Sequence, residues 1–407
     1  MVFRRMTRIL GLRSLARADD LDDRATVLAM FARFTDEVGS GLLLVLTPTF
    51  QARLRLSVVQ VGWLLQALFS TAALVEPVAG AAIDVVRRRP LLVFGAAGWA
   101  AALLLAAGAT GFGWLLAAFA LVGIASGPLA HTADVVLVEA HPTAVERITS
   151  RTTVLDTTGA LLAPAAVAVA GWSGVDDRVL LVAAGAAALG YAGLLATSVF
   201  PPPPRRHDRL GLVAQVRDNV LTVLRDRMAR LWLAALVLQE VLGLSELFEP
   251  VWLQDTVGAS QPLVAVHVAV GMAATLVGLL LLDRLLVRYR STAILLVASL
   301  ATAVLYPAWL LAPGIALKLL LVVPRNLAIA PLWPILRSRS LAAIPGVGGA
   351  TTSLYSLLGL LPLQAAFGWA ASQVGLTSTM LTVHLAATAA LVLLVRRLGR
   401  EPAASAA

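Results

Sequence analysis

Eight ionisable residues stand inside long apolar runs of this sequence: Arg33, Asp36 and Glu37, then Glu240, Glu246 and Glu249, then Lys318 and Arg325. Charge within hydrocarbon is expensive, so each such group is a functional candidate by default. A carboxylate left there without a basic partner either takes up a proton or meets a cationic ligand. Arg33 lies three residues before Asp36 and four before Glu37, a spacing that lets it pair with one of them along its own helix. Glu240 and Arg325 match by depth, each roughly 15 Å into its run at about 1.5 Å per residue. Lys318 is in register with Glu249 or Glu246. These pairings leave about two carboxylates unmatched, and one of Asp36 and Glu37 is expected to be the proton site. His131 and His267 are read as hydrogen-bonded packing residues rather than relays.

Other chemistry is poorly supported. The chain has no cysteine, no G-x-S-x-G elbow and no H-E-x-x-H, and "GVGGATTS" (346–353) lacks the lysine of a phosphate-binding loop. No enzyme activity, metal or cofactor is expected.

The elements that position these charges follow from composition. Hydrophobic residues make up 59% of 407 and charged residues 14%, against roughly 45–50% and about 25% in a soluble domain. About twelve runs reach the roughly 20 residues needed to span a bilayer. They fall near 27–49, 58–83, 90–109, 113–138, 151–172, 178–199, 231–254, 261–282, 291–311, 314–336, 350–372 and 376–395. Continuous Leu- and Ala-rich runs favour helices over barrel strands, which alternate. The expectation is an all-α membrane protein of twelve transmembrane helices.

Arginine placement sets the orientation. Outside the spans, only Arg53, Arg55 and Arg178 fall on the outer side of this arrangement, so both termini are expected in the cytoplasm of a multi-pass cell-membrane protein. The net charge of +9 reflects this bias and attraction to the lipid bilayer, not nucleic-acid binding. The expected divisions are a basic tail (1–26), a six-helix bundle (27–199), a cytoplasmic linker (200–230), a second six-helix bundle (231–395) and a tail (396–407). Within the linker, four prolines precede Val213, Val216, Val220, Leu224 and Leu231 at near-helical spacing. That pattern suits a helix in the membrane interface or a solvated linker helix.

One constant shift superposes Asp84 on Asp283, Arg89 on Arg288, Thr152 on Thr351, Thr153 on Thr352 and Leu155 on Leu354, which predicts two pseudo-symmetric halves. The stretch "GAAIDVVRRR" (80–89) resembles the loop signature of the major facilitator superfamily, G-x-L-x-D-[RK]-x-G-[RK]-[RK]. Gly80, Asp84, Arg88 and Arg89 match it; Ala82, Val85 and Arg87 depart from it. Asp283, Arg284 and Arg288 look like its second copy. The resemblance implies a gating latch at this loop, with Asp134 and Glu139 as acidic partners for Arg88 or Arg89; the alternative is an arginine block that only fixes topology. It also implies a cavity lined by the first, fourth, seventh and tenth helices. Gly159, Ala163 and Pro164 in the fifth span look like a worn form of the helix found in the drug/proton antiporter branch, whereas Gly123 stands where the family often carries an arginine. The expected function is proton-coupled export of small lipophilic or cationic compounds by a monomer working by alternating access. An importer or uniporter of a metabolite, and a non-transporting receptor, are the alternatives.

Overall fold

The computed structural model describes residues 24–83, 86–140, 145–200, 221–343 and 354–400, and these are almost wholly helical. In the first half the helices are α1 (Arg24–Val45), α2 (Thr47–Leu54), α3 (Val58–Ile83), α4 (Arg88–Ala107), α5 (Phe112–Ala140), α6 (Val145–Ser173) and α7 (Asp177–Ala196). The second half holds α8 (Arg227–Leu247), α9 (Glu249–Asp255), α10 (Gln261–Arg288), α11 (Ser291–Leu311), α12 (Gly314–Ile329) and α13 (Leu332–Ala342). A 3-10 turn (Leu357–Leu360), α14 (Leu363–Val374) and α15 (Leu376–Arg400) complete it. The seventh span combines α8 with α9, and the tenth α12 with α13.

Among the described residues, 10 helices are long and apolar enough to cross a membrane, or 11 if the bent pair Leu354–Leu360 and Leu363–Val374 is one span. The remaining expected place is taken by α1, whose composition is diluted by Arg33, Asp36 and Glu37. The eleventh span departs from the expected continuous helix: it bends by 42° at Leu361–Pro362, where proline cannot donate to the preceding turn. The linker residues Val213, Val216 and Val220, and the loop residue Asp84, lie outside the described residues.

Local sequence sets the helix ends. Asp176 caps α7 by accepting from the Arg178 N–H, and Asp226 caps α8 by accepting from Ala229 N–H at 2.7 Å, each satisfying a donor that the first turn leaves orphaned. The outer faces are hydrophobic: Val287 is 91% exposed and Val78 69%. Water would not tolerate so many such side chains, but lipid does.

Within the first half α3 packs on α5, α4 on α5 and α7, and α1 on α6; within the second, α10 packs on α12, α11 on α15 and α8 on α15. The halves meet along two seams, α3 with α14 and α6 with α10. These are the second span against the eleventh and the fifth against the eighth, equivalent under a two-fold relation. Glycine brings the first seam to backbone contact: a Cβ on Gly62 would lie 2.7 Å from the Gln364 carbonyl, and one on Gly368 2.8 Å from that of Val58. The end of the bundle carrying the described termini is called proximal here, and the opposite end distal. At the distal end Gln51 donates to Asp255 at 2.8 Å and Gln261 to Asp177 at 2.7 Å, tying the halves together.

Candidate functional site

On the proximal side of that distal seal lies a cavity of about 530 Å³, within the usual range for a small-molecule site. Its apolar wall includes Leu44, Phe69, Leu244, Leu247, Met272 and Val322, and its charged residues are Glu76, Glu240, Glu246, Glu249 and Arg325. The lining comes from the first, second, seventh, eighth, tenth and eleventh spans. The fourth span, expected to contribute, does not reach the described lining. At Gly123 a Cβ would lie 2.2 Å from the Leu68 carbonyl and from Thr71 Oγ1, so α5 packs flush on α3 there. No arginine fits at that position.

Four of the eight intramembrane charges named from sequence line the cavity: Glu240, Glu246, Glu249 and Arg325. The pairing differs from expectation. Arg325 grips Glu249, not Glu240, through two bonds, Nη1 to Oε1 at 2.5 Å and Nη2 to Oε2 at 3.0 Å. The pair is almost fully buried, and the guanidinium lies 4.3 Å from the Trp309 ring. The fork geometry of two parallel bonds selects one carboxylate, and the turn between α8 and α9 brings Glu249 to it. Glu240 has Tyr355 as a polar neighbour in the cavity wall. Glu246 Oε1 is inaccessible and has no hydrogen-bond partner.

Lys318 meets neither Glu246 nor Glu249. Its ammonium donates to the carbonyls of Trp309 and Leu310 at 3.0 and 2.9 Å and sits 4.5 Å from the Trp252 ring. These carbonyls end α11, where orphaned acceptors and the helix dipole favour a cation. Lys318 is therefore a tie between α11 and α12 outside the cavity lining.

The first-span charges also lie outside that lining. Arg33 bonds Asp156 on α6, Nη2 to Oδ2 at 3.0 Å, rather than Asp36 or Glu37. Asp36 accepts from Trp99 Nε1 at 2.8 Å, and Gly39, one turn on, makes the space: a Cβ there would lie 2.4 Å from the Trp99 ring. Glu37 faces α6, where a Cβ on Gly159 would come within 2.8 Å of the Phe34 carbonyl and 3.2 Å of Glu37 Cβ. Ala163, beside Pro164 and fully buried, would sit 2.8 Å from a Cβ on Gly41. Gly159 and Ala163 thus let α1 and α6 approach closely.

At the latch, Arg88 is buried at the start of α4, while Arg89, Arg284 and Arg288 are exposed. Asp84 and the side chains of Glu139 and Asp283 lie outside the described residues. Asp134 does not serve as the expected partner of Arg88 or Arg89: the charges that act on it are Arg33, His131, Asp36 and Arg337, from α1, α5 and α13. His267 accepts from Trp309 Nε1 at 3.0 Å, in keeping with a packing role, whereas His131 Nε2 stands 3.6 Å from Glu76.

Sequence reasoning passed over Glu76 and Asp156. Both carry the signal used for the others, an acid inside a predicted span, but each lies within about two turns of a span end. Ser356 donates to Glu76 Oε2 at 2.7 Å, a polar link between the halves to which Ser70 and Gln66 add others by donating to the Gly359 carbonyl at 2.9 and 3.1 Å.

A two-fold bundle of membrane-crossing helices with a polar-lined cavity at the interface of its halves defines a secondary transporter. Residues 26–359 match the Major Facilitator Superfamily, and the chain belongs to that family; it is a transporter, not an enzyme. The chain is similar in fold to the nucleoside transporter NupG, at TM-score 0.74 and 14% identity over 93% of this chain and 100% of that one. It is also similar to the xylose transporter XylE from E. coli, at 0.69 and 14% over 92% and 99%. A bacterial homolog of the human lysosomal transporter Spinster, inward-facing and unoccupied, gives 0.69 and 15% over 92% and 94%. No curated protein matches the chain significantly.

Proposed function

We propose that this transporter sits in the cell membrane with both termini in the cytoplasm and exports small lipophilic cations in exchange for protons. Its two six-helix halves (27–199 and 231–395) rock about the cavity, and the protein acts as a monomer. The observation that carries this reading is the charge of the cavity. Four acids, Glu76, Glu240, Glu246 and Glu249, line it with one arginine, a few neutral polar side chains such as Asn326 and Gln364, and a majority of apolar residues. Apolar area favours a lipophilic body, and carboxylates without basic partners favour either a proton or a cation, which is competition of the kind antiport needs. With the distal end sealed by Gln51–Asp255, the described state is the one that would load from the cytoplasm.

The test is transport in proteoliposomes holding the purified full chain under an imposed pH gradient. Tetraphenylphosphonium should move opposite to the proton flux and accumulate in vesicles whose lumen starts acidic. Co-accumulation of a neutral metabolite with protons would replace export by import, and saturable binding without flux would make the chain a receptor.

A further inference from the structure

Along α8, Glu240, Gly243 and Glu246 line the cavity at spacings that place side chains on a single helix face, and Pro250 in the first turn of α9 continues them. Glycines within the other spans mostly allow close packing. Gly95, Gly123 and Gly159 would each place a Cβ under 3.0 Å from a neighbour, and Gly271, on the opposite cavity wall, would meet Asn326 Nδ2 at 2.5 Å. Gly243 differs: a Cβ there meets nothing within 4 Å. Its missing side chain serves no helix contact, and the volume belongs to the cavity. Glu240 and Glu246 flank the bare stretch, six residues apart, or roughly 9 Å along the axis.

The two carboxylates differ in what they already hold. Glu240 has Tyr355 as a polar neighbour, and Arg325 occupies both oxygens of the neighbouring Glu249. Glu246 Oε1 has neither solvent nor a hydrogen-bond partner. A buried acceptor left unsatisfied forfeits its hydration without return, and a cationic ligand group held where the rest of the Glu246 side chain lines the cavity would offset that loss through its charge. We propose that Gly243 sets the size of compound the cavity accepts and that Glu246 is the counter-ion for its cationic group. The proposal rests on the reading of the substrate as a cation.

The experiment compares binding of tetraethylammonium and tetraphenylphosphonium to the purified full chain by calorimetry. Wild type should bind both. Gly243→Val should weaken tetraphenylphosphonium by at least about tenfold while leaving tetraethylammonium within about threefold, and Gly243→Ala should fall between. Glu246→Gln should weaken both by about tenfold or more. Because a Cβ at Gly243 meets no neighbour, Gly243→Ala keeps the fold, and its melting curve supplies the control. Equal loss of both cations in the Gly243 variants, or full affinity in Glu246→Gln, overturns the proposal alone. A wild type that binds neither cation overturns the cationic reading and the proposal with it.

Discussion

Arg33 and Asp156, 123 residues apart in sequence, are joined side chain to side chain, with Arg33 Nε at 3.2 Å and Nη2 at 3.0 Å from Asp156 Oδ2. The bond ties α1 to α6 and removes Arg33 from the local pairing that its spacing to Asp36 and Glu37 suggests. Asp36 is left to Trp99, and neither acid faces the cavity lining. The cavity charge is therefore a property of the second span and the second half.

Loss of the Arg33–Asp156 bond should be felt as instability. Asp156→Asn or Arg33→Gln is expected to lower unfolding free energy by about 1–3 kcal/mol, less than for a fully buried pair because both side chains are partly exposed. Glu37→Gln should change it by less than about 1 kcal/mol. Thermal unfolding in detergent measures all three, and the opposite ranking would return Arg33 to Glu37.

Gly123→Ala is expected to lower stability by about 1–3 kcal/mol, since the new methyl would press on the Leu68 carbonyl. Gly193→Ala on α7, where a Cβ meets nothing within 4 Å, should instead stabilise by up to about 1 kcal/mol. Melting temperatures of the two variants, read side by side, separate packing from helix propensity.

A reversible lock follows from the distal seal. In this cysteine-free chain, Gln51→Cys with Asp255→Cys should cross-link through a short thiol-reactive bridge and stop transport, and reductant should restore it. Unchanged transport in the cross-linked protein would mean that the distal end need not open.

Binding of a permanently charged cation should strengthen as pH rises from about 5.5 to about 8.5, because in the proposed exchange protons and the cation compete for the same carboxylates and protons withdraw at higher pH. Calorimetry on Glu246→Gln should show a flatter profile. A wild-type affinity independent of pH would remove the exchange with protons.

Orientation can be read with single cysteines at Ser173 and Arg290, both exposed. In intact cells an impermeant thiol reagent should label the first and not the second. Ser291 is a poorer probe than its place in the loop suggests, being buried and bonded by Arg339 at 2.6 Å.

Much of the fold was legible because bilayer spanning imposes long apolar runs, and those runs coincide with the observed helices. The two-fold relation was visible in Asp84 and Asp283, and reappears as the paired seams. Local spacing failed for the charges. Helix geometry allows Arg33 to meet Glu37, but only tertiary packing decides between Glu37 and Asp156. Depth likewise matched Arg325 to Glu240, whereas the turn at Phe248 carries Glu249 to it. Gly243 and Gly123 look alike in sequence, yet one opens onto a cavity and the other onto a backbone carbonyl, a difference set by neighbours distant along the chain.

Four acids around one arginine at the cavity also make the empty carrier a charged body in an electric field. Each elementary charge carried across a membrane potential of 100 mV is worth about 2.3 kcal/mol. If Glu246 holds the cation or the proton as proposed, turning the empty cavity from one face to the other would move negative charge, and turning the loaded one would move less. The return of the empty protein and the passage of the loaded one would then respond differently to voltage. Currents that reverse with the potential would make that difference directly measurable.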